Sequence, residues 1–277
     1  MAMTTTERPV RRFRPVPVRS VERLGPHLVR IVVAGDALAD FGVGPYTDSY
    51  VKLQLPPAGA PYAAPFDDEE IRAAHPRELW PRVRTYTVRA WDPARNALTI
   101  DFVVHGDDGV AGPWAAAAQP GDVLQLAGPG GAYAPNPSAD WHLLVGDLAV
   151  LPAIAASLAL IPAGVRVHVI AEVDAPEDQL ELTSAGDLRV QWLHTGGGAS
   201  DALVDAVRAL DFPPGNVHAF VHGEASVVRA VRKHLLVDRG LPKEALSVSG
   251  YWKRTRTEEG WRDDKAEWNR LAELDAA

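Results

Sequence analysis

The feature that most constrains the fold is a change in hydrophobic pattern about halfway along the chain. The first half contains short runs rich in Val, Ile, Thr and Leu, separated by turn residues. Such short, punctuated runs predict an antiparallel barrel or sandwich, with a hairpin turn at 92–96. Residues 58–79, rich in proline and acidic side chains, predict an excursion between two strands. The predicted strands cover 27–35, 49–56, 82–91, 97–105 and 121–129.

The second half alternates strands with helices. A continuous apolar run at 141–147 predicts a buried strand, and the apolar run after it predicts a buried helix. The alternation continues to about residue 252 and predicts a parallel α/β sheet. Because 128–140 is dense in Gly and Pro, we place a domain boundary near residue 137, giving domains at 1–137 and 138–277. A two-domain chain of this kind predicts a cleft at the carboxyl ends of the parallel strands.

Composition excludes several function classes. A net charge of −8 argues against general nucleic-acid binding. Without cysteine the chain has no disulfide, no thiolate nucleophile and no Cys-ligated iron–sulfur or zinc site. Its nine histidines are scattered and predict no resident metal site. No apolar run reaches about 18 residues and no signal-peptide pattern is present, so we expect a soluble, cytoplasmic protein without stable membrane insertion.

The strand "RTYTVRAW" at 84–91 carries charge that a barrel strand does not need. Alternation places Arg84 and Tyr86 on one face, about 7 Å apart, and Thr85 and Thr87 on the other. A cation beside an aromatic ring suits a flavin, whose diphosphate needs the charge and whose ring system needs an apolar wall. The alternative is a pair of solvent-facing arginines on an ordinary strand.

A second stretch, 101–122, ends a strand at His105 and opens a short helix after a glycine-rich loop. The amides of such a loop bind anions, phosphate most readily, because glycine lets the backbone approach a ligand closely. A plain strand–turn–helix is the alternative. A further glycine loop at 194–200 is better explained as a connector than as a phosphate site.

Together these stretches resemble the siderophore-interacting proteins, which are FAD-dependent ferric-siderophore reductases in the ferredoxin–NADP reductase superfamily. The "RxYTxR" strand, the "FVxHG…G…W" loop–helix and "PGDxLxLxGPGG" carry the resemblance. It continues through 143–156, 220–235 and 249–261, and spans roughly 8 to 268 in matching order.

The resemblance implies a six-stranded Greek-key barrel that binds FAD, followed by a ferredoxin reductase-like α/β domain that binds NADH or NADPH. It implies a ferric siderophore as the substrate, which we expect to be anionic, and it requires no catalytic acid or base. The FAD or nucleotide positions would be Arg84, Tyr86, Thr87, Val104, His105, Gly109, Ala111, Gly112, Trp114, Asp147 and Tyr251. The substrate positions would be Lys52, Lys253 and Arg254.

Several alternatives stay open. The family more often has "GPAS" where 109–112 reads "GVAG", and Leu148 and Ala149 replace an acid and a hydroxyl found in its usual pattern. Glu172 and Asp174 follow a strand and tilt the prediction mildly toward NADH, since an acid there repels a 2′-phosphate. A ferredoxin-type protein is an alternative electron donor. The function could instead be that of a flavin diaphorase with another acceptor, or of a non-enzymatic FAD-containing siderophore binder.

Overall fold

The computed structural model describes residues 12–106 and 109–275. Two positions of the predicted glycine-rich loop, 107 and 108, lie outside the described residues, as does the start of the family resemblance at residue 8. The strands of the first half are β1 (Arg14–Gly25), β2 (Leu28–Ala34), β3 (Tyr50–Leu55), β4 (Arg82–Thr87), β5 (Ala90–Asp92), β6 (Ala97–Val103) and β7 (Val123–Gly130). Two short helices interrupt them, α1 (Asp68–Ala74) and α2 (Ala111–Ala117).

These strands form one seven-stranded antiparallel sheet in the order β4-β3-β7-β1-β2-β6-β5. Alternating apolar residues such as Val51, Leu53 and Ile100 point to one side and are fully buried there. The two ends of the sheet approach each other, because the rings of Tyr86 on β4 and Phe102 on β6 lie 4.4 Å apart. The sheet therefore wraps around a shared core.

The sheet has seven strands, so the six strands that the resemblance implies are not confirmed. The sequence analysis missed β1, and the strand that it predicts at 82–91 is divided. The amide of Val88 donates to the Ser49 carbonyl at 2.7 Å, whereas the amide of Arg89 donates to the Thr99 carbonyl at 2.9 Å. The chain thus leaves the β3 side of the sheet and crosses to β6, and β5 is a separate strand. The predicted excursion at 58–79 contains the seven-residue helix α1, capped by Asp67.

The second half is a parallel sheet of five strands: β8 (Trp141–Asp147), β9 (Arg166–Val173), β10 (Asp187–His194), β11 (Val217–Glu224) and β12 (Leu246–Trp252). They lie in the order β10-β9-β8-β11-β12. The three inner strands, β8, β9 and β11, are almost wholly buried, which explains their continuous apolar sequences. The helices are α3 (Leu151–Leu158), α4 (Ala202–Ala209), α5 (Ala225–Lys233) and α6 (Glu258–Leu274).

Helix α6 was missed by the sequence analysis, which treated the C-terminus as a basic and aromatic segment. Thr257 caps the helix by accepting a hydrogen bond from the Gly260 amide at 3.1 Å. Trp261 and Trp268, seven residues apart, are buried against the parallel sheet, and the Trp268 indole donates to the Ala225 carbonyl at 2.9 Å. The capping threonine and the two tryptophans on one helical face are signals that predict this helix.

The two halves are in contact as well as connected. Strand β7 continues through Gly130, so the first residues of the predicted linker are strand, and the connection to β8 is 131–140. The predicted boundary near residue 137 falls in this connection and remains a prediction. His27 in the antiparallel half donates its amide and presents its ring Nδ1 to the buried carboxylate of Asp178, at 3.2 and 2.9 Å. Across the described ranges, no helix is long and apolar enough to cross a bilayer.

Candidate functional site

Strand β4 carries Arg84 and Tyr86 on one face, as the alternation predicts. They stand opposite the buried residues Leu53 and Val51 of β3, on the side of the sheet that faces the core. The Tyr86 ring packs on Phe102, and burial raises the pKa of the Tyr86 hydroxyl above its ordinary value. A cation and an aromatic ring therefore lie side by side at the end of the sheet.

The opposite face of β4 carries a second group of predicted residues. Thr85 pairs with Lys52 across the ladder, and the Lys52 ammonium donates to the Thr85 hydroxyl and lies 5.1 Å from the Tyr50 ring. Thr87 is buried. Burial raises the pKa of the Tyr251 hydroxyl from β12, and the neighbouring Thr87 side chain opposes that shift. Tyr251 thus joins the parallel half to the strand on which the predicted flavin residues lie.

Arg84 is bound by a residue that the sequence analysis did not single out. Its two terminal nitrogens donate to the two carboxylate oxygens of Glu259 in the first turn of α6, at 2.6 and 3.4 Å. The first of these nitrogens also donates to the Val83 carbonyl at 3.0 Å. The sequence offered no signal for this pairing, because 175 residues separate the two partners.

The described residues between β6 and α2 include an open position at Gly109. Val104 is fixed by its amide, which donates to the His27 carbonyl at 2.9 Å, whereas His105 is exposed. Gly109 has a φ of +81°, and a Cβ there would meet no atom within 4 Å. A Cβ on Gly112 would lie 3.5 Å from the Val103 carbonyl, so the helix starts close to the end of β6.

The remaining predicted residues of this segment contribute to packing. Ala111 is buried in the core of the antiparallel half, and the Trp114 ring lies 5.6 Å from Phe102. Val110 provides no side-chain cap for α2, so its first amides have no acceptor from that side chain. The residue types at Gly109, Arg84 and Tyr86 fit the chemistry of a flavin dinucleotide, because backbone amides and a guanidinium suit its diphosphate and an aromatic ring suits its isoalloxazine.

Asp147 ends β8 and cross-links the carboxyl ends of three strands. It accepts hydrogen bonds from the amides of Ala149 and Glu224, at 3.0 and 2.8 Å, and from the indole of Trp252, at 2.8 Å. Gly223 has a φ of +134°, and a Cβ there would come within 2.6 Å of the Asp147 carboxylate. Burial raises the pKa of Asp147 to about 6, although the three donors lower it. These contacts give Asp147 a structural role at the predicted nucleotide edge.

Glu172 makes the same edge of the parallel sheet acidic. One oxygen of its carboxylate is buried without a hydrogen-bond partner, and burial together with the charge of Asp147 raises its pKa to about 7. Arg254 lowers this pKa. The glycine loop at 194–200 lies here too, since the Gly196 amide donates to the Asp174 carbonyl at 2.9 Å.

Leu148 and Ala149, which depart from the family pattern, lie in the turn after β8. The Leu148 side chain is buried in the core around α3, and the Ala149 amide donates to Asp147. An apolar residue at 148 is therefore accommodated by packing.

Lys253 and Arg254 are adjacent in sequence but contact different parts of the molecule. The Lys253 ammonium lies 3.9 Å from Asp264 of α6, in the groove between α5 and α6. Arg254 instead donates to the Gly198 carbonyl at 3.3 Å, and its guanidinium lies 5.5 Å from the Trp252 ring. These two predicted substrate residues therefore do not share one pocket.

Two histidines on β11 have a spacing that the sequence analysis overlooked. His218 and His222 are four residues apart, and Phe220 between them stacks on His222 with ring centroids 3.8 Å apart. His222 is buried, and burial lowers its pKa to about 3. Among the residues that the structure describes, no group of three or more acidic, histidine or cysteine side chains is arranged to hold a metal ion.

Two family models match the chain. The one described as the siderophore-interacting FAD-binding domain matches residues 17–133, and the one described as siderophore-interacting protein matches residues 139–255.

Curated relatives match along most of their length. An uncharacterized protein of Mycobacterium tuberculosis is 41% identical over 97% of this chain and 98% of its own length. The ferric vibriobactin reductase ViuB of Vibrio cholerae is 33% identical over 86% of this chain and 89% of its own. An NADPH-dependent ferric-chelate reductase of Escherichia coli is 31% identical over 87% and 93%, respectively.

Solved structures also match most of the chain. The siderophore-interacting protein SipS from Aeromonas hydrophila matches with a TM-score of 0.80 and 29% identity, over 95% of this chain and 100% of that chain. Phthalate dioxygenase reductase matches with a TM-score of 0.60 and 16% identity, over 88% of this chain and 70% of that chain. The second likeness shows the shared fold alone.

Proposed function

The chain belongs to the siderophore-interacting protein family, and we propose that it is a ferric-siderophore reductase that uses NAD(P)H and FAD. It is accordingly an NAD(P)H-dependent flavoprotein oxidoreductase. The observation that carries the proposal is the pairing of Arg84 and Tyr86 on one face of β4, within the segment that matches an FAD-binding domain.

In this proposal each half of the chain has its own task. When bound, FAD would supply the conversion of a two-electron hydride donor into single-electron transfer to Fe(III). Arg84 and the backbone amide of Gly109 would hold its diphosphate, Tyr86 would pack against its ring system, and the hydroxyl of Thr87 would serve the polar edge of that ring. Because outer-sphere electron transfer needs no acid or base, we assign no side chain to proton transfer.

The nicotinamide dinucleotide docks at the carboxyl ends of the parallel strands. Arg254 lies at this edge beside the loop at 194–200, so it is the cation best placed to meet a nucleotide phosphate. Arg254 is therefore proposed to bind the nucleotide and not the siderophore. Glu172 and Asp174 favour a free 2′-hydroxyl and hence NADH, whereas the name of the Escherichia coli relative specifies NADPH.

The substrate is a ferric siderophore, and its iron is cargo. Lys52 of β3 provides a cation on the face of the sheet that carries Thr85 and Thr87, next to the Tyr50 ring. Many ferric siderophores are anionic, and a cation beside the flavin attracts and orients them. Lys253 is the second proposed substrate cation, although Asp264 lies 3.9 Å from it.

The visible spectrum of the purified protein tests the first step of the proposal. We expect the two absorbance bands of an oxidised flavin, and release of FAD on denaturation. A colourless protein that cannot be reconstituted with FAD contradicts the proposed function. Bound FAD that neither NADH nor NADPH reduces favours the non-enzymatic binder instead.

A further inference from the structure

Glu259 holds the arginine that the proposed function assigns to the cofactor diphosphate. Both Glu259 oxygens accept hydrogen bonds from Arg84, at 2.6 and 3.4 Å. The Arg84 side chain is 16% exposed and that of Glu259 is 46% exposed, so the pair lies at the rim of the antiparallel half. Partial burial raises the pKa of Glu259, but the hydrogen bond and charge of Arg84 outweigh it and hold the pKa below its ordinary value.

We propose that Glu259 is an intramolecular competitor of the cofactor diphosphate, and that it sets how tightly the chain holds FAD. A carboxylate and a diphosphate both present paired oxygens to the fork of a guanidinium, and Glu259 already occupies both terminal nitrogens of Arg84. Two anions on one guanidinium also repel each other. The inference rests on the proposed function, because it requires Arg84 to be a diphosphate ligand.

The geometry lets this competition occur without unfolding the helix. Glu259 belongs to the first turn of α6, whereas Trp261 and Trp268 anchor the helix in the core of the parallel half. When a diphosphate binds Arg84, only the half-exposed Glu259 side chain has to rotate toward solvent. The Arg262 side chain donates to the Val83 carbonyl at 3.4 Å, and this hydrogen bond keeps the start of α6 next to β4.

The test compares Glu259→Gln with Glu258→Gln in the full chain. Glu258 lies in the same turn of α6 and pairs with Arg262 at 3.4 Å, so its substitution removes the same charge without touching Arg84. We expect Glu259→Gln to lower the Kd for FAD about threefold to fivefold, as suits a partly exposed ion pair, and Glu258→Gln to change it less than about twofold. The apoprotein is titrated with FAD and the quenching of flavin fluorescence is followed.

A second measurement separates competition from a structural role. Loss of the ion pair should slightly lower the Tm of the Glu259→Gln apoprotein while its affinity for FAD increases. If Glu259 had only a structural role, the substitution would lower both the Tm and the affinity for FAD. In an Arg84→Ala background, Glu259→Gln should no longer change the Kd. An unchanged or weaker affinity, or equal tightening by Glu258→Gln, overturns the inference. A wild-type chain that binds no FAD overturns the proposed function together with it.

Discussion

The indole N–H of Trp252, at the end of β12, donates to the carboxylate of Asp147, at the end of β8, at 2.8 Å. Strand β11 lies between these two strands, and its residue Glu224 donates its amide to the same oxygen at 2.8 Å. The carboxyl ends of three parallel strands are therefore tied to one buried side chain. This edge is where the proposed function places the nicotinamide dinucleotide.

Trp252→Phe removes one of the three donors to Asp147. Because hydrogen bonds to a charged carboxylate are stronger than those to a neutral acid, the loss should depend on pH. The pKa of Asp147 is about 6, so we expect a destabilisation of about 2 kcal/mol at pH 8 and less at pH 5. Urea unfolding at the two pH values measures this difference. An equal loss at both would show that packing of the ring, and not the hydrogen bond, matters.

Glu172→Gln should change how stability depends on pH. The pKa of Glu172 rises from an ordinary 4.5 to about 7 on folding, so the native state binds the extra proton. The resulting stability is fully present below about pH 4 and is lost as the pH rises through about 7. A glutamine side chain does not titrate, so the Tm of the variant relative to wild type should increase between pH 5 and 8. If the wild type loses about 1 kcal/mol of stability over this range, the increase is about 2–4 °C. A constant difference across this range contradicts the raised pKa.

Arg84→Ala should raise the Kd for FAD about tenfold or more, because the diphosphate loses a charge-assisted partner. Arg82→Ala is the matched control, since Arg82 lies on the same strand and donates to the Glu78 carbonyl at 3.3 Å. We expect the control to bind FAD within about twofold of wild type. Fluorescence titration of both apoproteins measures the effect. Equal affinities for the two variants would remove Arg84 from the proposed site.

Lys253 and Arg254 contact different parts of the molecule, so their proposed roles in binding siderophore and nucleotide can be tested separately. Lys253→Ala should raise the KM for an anionic ferric siderophore about threefold, with little change in the KM for NAD(P)H. Arg254→Ala should raise the KM for NAD(P)H by a similar factor and leave that for the siderophore unchanged. Steady-state reduction at varied concentrations of each substrate gives the four values. The same pattern in both variants would contradict separate roles.

The sequence predicts the order of the two sheets because strand and helix periodicities differ locally, as the contrast between 97–105 and 141–158 shows. It also predicts that Arg84 and Tyr86 share a face, since alternation along a strand is a local property. It does not predict the break after Thr87, because that break depends on which neighbouring carbonyls the Val88 and Arg89 amides reach.

Contacts between distant segments account for what the sequence analysis missed. Glu259 meets Arg84 only because α6 returns along the parallel half to the rim of β4. The hydrogen bond from Trp252 to Asp147 likewise depends on strand order, which brings β12 within one strand of β8. Helix α6 itself was predictable, from the threonine cap at Thr257 and the spacing of Trp261 and Trp268.

The central claim is that the chain passes electrons from NAD(P)H through FAD to siderophore-bound iron. The most direct measurement follows the visible flavin absorbance of the FAD-loaded protein under anaerobic conditions, with an Fe(II) chelator present. We predict that NADH or NADPH bleaches this absorbance, and that adding a ferric siderophore restores it while the Fe(II)–chelator complex forms. Flavin that is bleached but is not reoxidised by any ferric siderophore would contradict the claim and would point to a diaphorase with another acceptor.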